Sequence, residues 1–155
     1  MASFTLEEIE KATGASLLQK GEDAFVEGVS TDTRTISRGE LFIALIGENF
    51  NGHEFLKRAV LSGASAVMIS DASYGKDIDA HVSVFLVKDT KKGLEDLAHF
   101  HRMRFHVPVI GVTGSNGKTT TKDMITSILR TRFHVTATEK NFNNEIGLSM
   151  TLLSM

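Results

Sequence analysis

The chain has 155 residues, 41% of them hydrophobic and 23% charged, a globular composition that fits neither a disordered chain nor a membrane protein. Its net charge of −2 argues against bulk nucleic-acid binding, which needs basic surface to displace counterions from phosphate. There is no cysteine, so disulfides and thiolate metal sites are excluded. The opening Met-Ala-Ser-Phe-Thr has no basic region followed by a long apolar core, so no secretion signal is expected and the cytoplasm is the expected location. Thr5 and Glu8 stand at capping-box spacing and predict a short helix over residues 6–12, ended by Gly14. Residues 24–29 read as a strand, and 30–38 are polar and turn-like. The continuous apolar run 41–46 suits a strand buried on both faces. After the polar loop 47–52, Phe55, Leu56, Ala59 and Val60 recur at helical spacing and predict a helix over 53–61, closed by Gly63.

Strands are expected at 66–69 and 82–87. Asp89 or Thr90 can cap the helix that carries Leu94, Leu97 and Ala98. The run from His99 to His106 reads as one solvated helix face near a domain junction, and its histidines lack ligand spacing, so zinc is not expected. The sole proline, Pro108, breaks the helix, and 109–112 returns to strand. Strands and helices therefore alternate, which predicts an α/β fold with a mainly parallel sheet and right-handed crossovers. A boundary near residue 105 gives a domain over 1–105 and the start of a second over 106–155, whose strand and two helices would expose faces that further chain should cover.

The chemistry concentrates at 109–121, where an apolar strand runs into Thr113-Gly-Ser-Asn-Gly-Lys-Thr-Thr120 and then into a helix with Met124, Ile125, Ile128 and Leu129 at helical period. Strand, glycine loop and helix are the setting of a phosphate-binding loop. The first N–H groups of a helix have no partner within it, and its dipole puts partial positive charge there. Gly114 and Gly117 allow the backbone to turn several N–H groups toward one anion. Lys118 brings a full charge to the β- and γ-phosphates, and the Thr119 hydroxyl can join Mg²⁺. The general pattern wants glycine five residues before Gly117, where Val112 stands. The bland alternative is a structural glycine turn with a surface lysine.

The loop is similar to that of the Mur ligase superfamily, to which folylpolyglutamate and cyanophycin synthetases also belong. Asn141-Phe-Asn-Asn-Glu-Ile-Gly-Leu148 and the following Met150-Thr-Leu-Leu153 resemble the Asn-rich motif and helix of the MurF branch, and resemble MurE less. Lys140 and Ser149 stand where that branch often has glycine and proline. Ser30-Thr-Asp-Thr-Arg34, Arg38-Gly-Glu-Leu-Phe-Ile-Ala44 and Gly47-Glu-Asn-Phe-Asn-Gly-His-Glu-Phe55 resemble the MurE/MurF N-terminal domain, which receives the UDP end of a UDP-N-acetylmuramoyl peptide.

This resemblance implies a small MurE/MurF-type α/β domain followed by the beginning of a P-loop ATPase domain. It implies ATP-dependent joining of D-alanyl-D-alanine to UDP-N-acetylmuramoyl-tripeptide in peptidoglycan precursor synthesis. ATP phosphorylates the peptide carboxylate, the dipeptide amine attacks the acyl phosphate, and phosphate leaves. Lys118 and Thr119 are then the catalytic candidates, with Thr119 on Mg²⁺. Thr113, Gly114, Ser115, Asn116, Gly117, Thr120, Asn141 and Asn144 are the candidates for ATP, although Asn-rich turns also arise from ordinary loop chemistry. Thr33, Arg34, Asn49, Asn51 and Asn143 are the candidates for substrate. Arg34 suits a diphosphate, and an ion pair with Asp32 or Glu40 is its alternative. Phe50 suits stacking on uracil or, more commonly, the core, while His53 suits a helix start. The implied full-length enzyme is a cytoplasmic monomer about three times longer than this chain, so the chain alone is expected not to ligate. A MurE-type or other Mur-superfamily ligase and a non-enzymatic UDP-sugar-binding module are the competing assignments.

Overall fold

A computed structural model describes residues 2–139 and 144–155. The capping box forms as the spacing requires. Thr5 N–H donates to Glu8 Oε2 (2.9 Å) and Glu8 N–H to Thr5 Oγ1 (3.2 Å), which starts α1 (Leu6–Thr13) directly after the two-residue strand β1 (Phe4–Thr5). Leu6 and Ile9 face inward from α1.

The strand expected over 24–29 is two strands. Backbone bent at Gly28 (φ 152°) separates β3 (Phe25–Val26), antiparallel to β1, from β4 (Val29–Ser30) in the main sheet. That sheet also contains β2 (Ser16–Gln19), β5 (Leu41–Ile43), β6 (Ala66–Ile69) and β7 (Ser83–Leu86), in the order β2-β7-β6-β5-β4. The pairs among β4 to β7 are parallel, and β2 is an antiparallel edge. The mainly parallel α/β sheet expected from the alternation is therefore present.

Because side chains alternate across a strand, the sheet has two apolar faces. Leu41, Ile43, Ala66, Met68 and Phe85 pack with α1 and with α3 (Thr90–Arg102). Phe42, Val67, Ile69 and Val84 pack on the other side with Leu56 and Ala59 of α2 (Leu56–Leu61), which follows a 3₁₀ turn, Gly52–Phe55. Asp89 caps α3, accepting from Lys91 N–H (2.8 Å) and Lys92 N–H (3.2 Å). Thr90 Oγ1 donates to Ala44 O at 2.8 Å in a buried contact that pins α3 to the end of β5.

The segment 99–106 corrects one expectation. His99 is exposed, but His101 is 4% exposed and sits edge-on against Phe4 and Phe105, so it belongs to packing rather than to a solvated face. The strand expected over 109–112 is not formed. Val109 and Ile110 lie 65% and 57% exposed, and among the described residues no strand lies alongside to complete a ladder. The helix after the glycine loop, α4 (Lys118–Leu129), has no buried residue and presents Met124 and Ile128 to solvent. By contrast α5 (Glu145–Leu153) returns onto the first block, with Leu153 buried and Ile146 and Met150 packed on the core beside α3. No described helix is long and apolar enough to cross a membrane.

Candidate functional site

Residues 113–117 form an exposed bend that delivers the chain into α4. Gly117 is the N-cap with φ 78° and ψ 0°, and Gly114 has φ 146°, both conformations that side-chain-bearing residues rarely adopt. Space does not demand glycine here. An added Cβ would meet nothing within 4 Å at Gly117, and only Asn116 O at 3.8 Å at Gly114. Backbone angle is thus the requirement at both positions. No side chain caps α4. Among the described residues, the N–H groups of residues 114–120 donate no hydrogen bond. Among the described residues, seven successive amides, running from the bend into the first turn of the twelve-residue α4, are therefore without a partner and available to an anion.

Lys118 Nζ donates to Gly114 O (2.6 Å) and approaches Ser115 O (3.5 Å), so its ammonium lies across the loop it belongs to. Thr113, Ser115, Asn116, Thr119 and Thr120 are all exposed. The Thr119 hydroxyl stands in the first turn of α4. Among the described residues no cluster of three His, Asp or Glu side chains can hold a metal unaided. A cation here would have to be held jointly by a hydroxyl and by ligand phosphate oxygens. The residues fit such an arrangement, since the open amides and the lysine would hold the ligand's polyphosphate, on which the cation would sit.

Asn144 caps α5 by accepting from Gly147 N–H at 2.8 Å, which commits its carbonyl oxygen and leaves its amide group. Asn141 and Asn143 lie outside the described residues. Lys91, in the first turn of α3, pairs with Glu145, the first residue of α5, and so links the sheet block to the helix that follows the Asn-rich segment in the chain.

A second group of candidates lies at the C-terminal ends of the parallel strands, where α/β sheets hold their ligands. A cavity of about 290 Å³ opens there among Ile46, Ser70, Lys88, Asp89, Thr90 and Lys91. Asn51 caps the 3₁₀ turn, and its side chain reaches His53 and Tyr74. Asn49 and Phe50 are exposed on the same loop, Phe50 at 56%, so Phe50 is not a core residue. Thr33 and Arg34 sit in the turn after β4. Arg34 Nε and Nη2 clasp Asp32, with Nη2 at 2.6 Å from Oδ2, and this holds the Asp32 carboxyl down at about 2. The Arg34 side chain remains 76% exposed, with guanidinium nitrogen to spare. A larger cavity of about 540 Å³ is lined by Arg130, Phe133, His134 and residues near the end of α5, at the far end of α4 from the glycine loop.

His53 is the residue that sequence reasoning undervalued. It starts the turn as expected, yet it is 3% exposed and bonded through both ring nitrogens. The signal available was a histidine directly after Asn-Gly, between a loop and an apolar helix.

Comparison with known proteins identifies the family. The profile of the Mur ligase family catalytic domain matches residues 25–102, and that of the Mur ligase middle domain matches residues 112–155. The UDP-N-acetylmuramoyl-tripeptide--D-alanyl-D-alanine ligase of Bacillus subtilis is 47% identical over 134 residues, 86% of this chain and 29% of the relative. The Escherichia coli K12 protein of the same name is 36% identical over 155 residues, 100% of this chain and 33% of that protein. Among solved structures, MurF from Acinetobacter baumannii superposes with a TM-score of 0.89 at 31% identity, over 100% of this chain and 34% of that one. MurF ligase from Thermotoga maritima in complex with ADP gives 0.72 at 32% identity, over 83% of this chain and 29% of that one. The chain thus spans about a third of the length of the curated relatives it matches.

Proposed function

Since this chain belongs to the Mur ligase family, we propose that it supplies the phosphate-binding loop and the UDP-sugar-binding domain of a MurF-type ligase. The protein it serves joins D-alanyl-D-alanine to UDP-N-acetylmuramoyl-tripeptide at the expense of ATP, in the cytoplasm, as a step in peptidoglycan precursor synthesis. The observation that carries this reading is the row of open amides over residues 114–120, with Lys118 across it. Four relatives bearing the D-alanyl-D-alanine ligase name, each at least 36% identical, support the choice of branch.

In this reading the loop N–H groups and Lys118 hold the β- and γ-phosphates and offset the charge that develops during phosphoryl transfer. Thr113, Ser115, Asn116 and Thr120 line the approach. Thr119 would hold Mg²⁺ together with the ligand's phosphate oxygens, and the ion would supply further charge neutralisation. Asn141, Asn143 and Asn144 complete the nucleotide and substrate contacts from the Asn-rich segment. Thr33, Arg34, Asn49 and Asn51 meet the UDP end, Arg34 by exchanging part of its Asp32 contact for a phosphate oxygen. The 155 residues by themselves bind and do not ligate.

The test is an ADP-release assay on the protein that carries this chain, with UDP-N-acetylmuramoyl-tripeptide and either D-alanyl-D-alanine or a free diamino acid. Turnover with the dipeptide alone is expected. In a parallel arm with UDP-N-acetylmuramoyl-dipeptide as the acceptor, turnover with the diamino acid would instead assign a MurE-type ligase.

A further inference from the structure

The loop after β5 carries a buried imidazole that the proposed chemistry leaves unused. His53 lies inside the 3₁₀ turn at 3% exposure, beneath Tyr74, with ring centroids 5.0 Å apart. Its Nε2 receives Ser70 N–H at 2.9 Å, at the end of β6 and on the edge of the 290 Å³ cavity. A backbone amide can only donate, so Nε2 carries no proton. In the neutral ring the proton is then on Nδ1, which faces Asn51 Oδ1 at 2.7 Å and donates to it. Burial favours this neutral form, and the nearby Asp71 opposes burial only in part.

The consequence falls on Asn51. Its Oδ1 also accepts His53 N–H at 3.1 Å, so both lone pairs of that oxygen are taken. The side-chain amide is thereby fixed with its NH₂ group outward, where its one partner among the described residues is the Tyr74 hydroxyl at a long 3.5 Å. An asparagine ordinarily offers a donor and an acceptor, but this one offers donors only.

We infer that His53 is a positioning residue of the UDP-sugar site, locking Asn51 as a hydrogen-bond donor to an acceptor oxygen of the ligand, either a uracil carbonyl or a phosphate oxygen. This rests on the assignment of Asn51 to the UDP end made above. His53 itself does not touch the ligand. It ties the loop after β5 to the end of β6 and sets the polarity of the contact.

Two substitutions separate that role from simple packing. His53→Asn puts an amide nitrogen where Nδ1 is and keeps the bond to Asn51. His53→Gln puts an oxygen where Nε2 is and keeps the bond from Ser70. Titration calorimetry with UDP, and with ADP–Mg²⁺ as a control for the intact fold, reads both. The His53→Asn variant is expected to hold UDP within about threefold of the parent, and His53→Gln to lose about tenfold or more, each with unchanged ADP binding. Uridine and inorganic pyrophosphate run in parallel locate the acceptor, and a matching loss in either supports the assignment. Equal losses in the two variants, tracking their melting temperatures, would overturn the positioning role. Unchanged UDP binding in Asn51→Ala would remove Asn51 from the site, and the inference with it.

Discussion

Gly117→Ala isolates the backbone geometry on which the phosphate loop depends. The substitution adds one methyl group into open space, since nothing lies within 4 Å of the new Cβ. It creates no clash, removes no side-chain bond and leaves every charge in place. What it changes is the cost of φ 78° at the N-cap of α4. An L-residue pays about 1–2 kcal/mol for the left-handed region, whereas glycine enters it freely. The loop is exposed and α4 has no buried residue, so the alanine chain relaxes to another loop shape instead of unfolding the core. The binding-competent shape then becomes a minor population, and apparent affinity drops by that fraction. A cost of about 1–2 kcal/mol corresponds to roughly 5- to 30-fold weaker ADP–Mg²⁺ binding by calorimetry, with little change in melting temperature. Gly111→Ala is the matched control, because its new Cβ also meets nothing and its φ lies outside the left-handed region. Equal affinity in Gly117→Ala and the parent, or equal losses in both variants, would refute the reasoning.

Three further outcomes are expected. Lys118→Ala removes the ammonium that lies across the loop and should weaken ADP–Mg²⁺ binding while leaving UDP binding intact; parallel loss of both ligands in calorimetry would count against two separate sites. Thr90→Val keeps the side-chain shape but strips the buried Ala44 carbonyl of its donor, and chemical denaturation should report about 1–3 kcal/mol lost, whereas no change would mean that water or another donor replaces the hydroxyl. His53 and His101 are both held below the ordinary imidazole value of 6.5, chiefly by burial. The unfolded chain therefore takes up protons first, so stability is full above pH 6.5 and declines as pH falls below it. His53→Gln should flatten part of that slope in melting curves taken between about pH 7 and 5, and an unchanged slope would remove His53 from the linkage.

The parts legible in the sequence are those set by local signals. The capping box at Thr5 and Glu8 and the cap at Asp89 each depend on residues at most three positions apart, and each forms. Within the apolar run at 41–46, residues 41–43 form β5, an interior strand buried throughout, whereas Ile46 lies beyond its end and is 62% exposed. The parts that were not legible depend on partners far along the chain. The edge strand β2 reads only as Ser-Leu-Leu-Gln, and it is held by pairing with β7 and by Gln19 Nε2 donating to Asp79 O and Val82 O. The apolar run at 109–112 has strand composition, yet composition supplies no ladder neighbour. Nothing in residues 145–153 announces that α5 packs on α3 while α4 does not. At the site, the glycine and lysine pattern was explicit. The buried role of His53 was not, because its second partner, Ser70, lies 17 residues away.

The central claim is that backbone amides at the start of α4 receive a polyphosphate. Amide ¹H–¹⁵N spectra of this chain, titrated with ADP–Mg²⁺, observe those groups one by one. Saturable shifts centred on residues 114–120, with the amides of β5 to β7 unmoved, are the predicted result. Shifts confined to other parts of the surface, with the loop amides silent at saturating nucleotide, would contradict it.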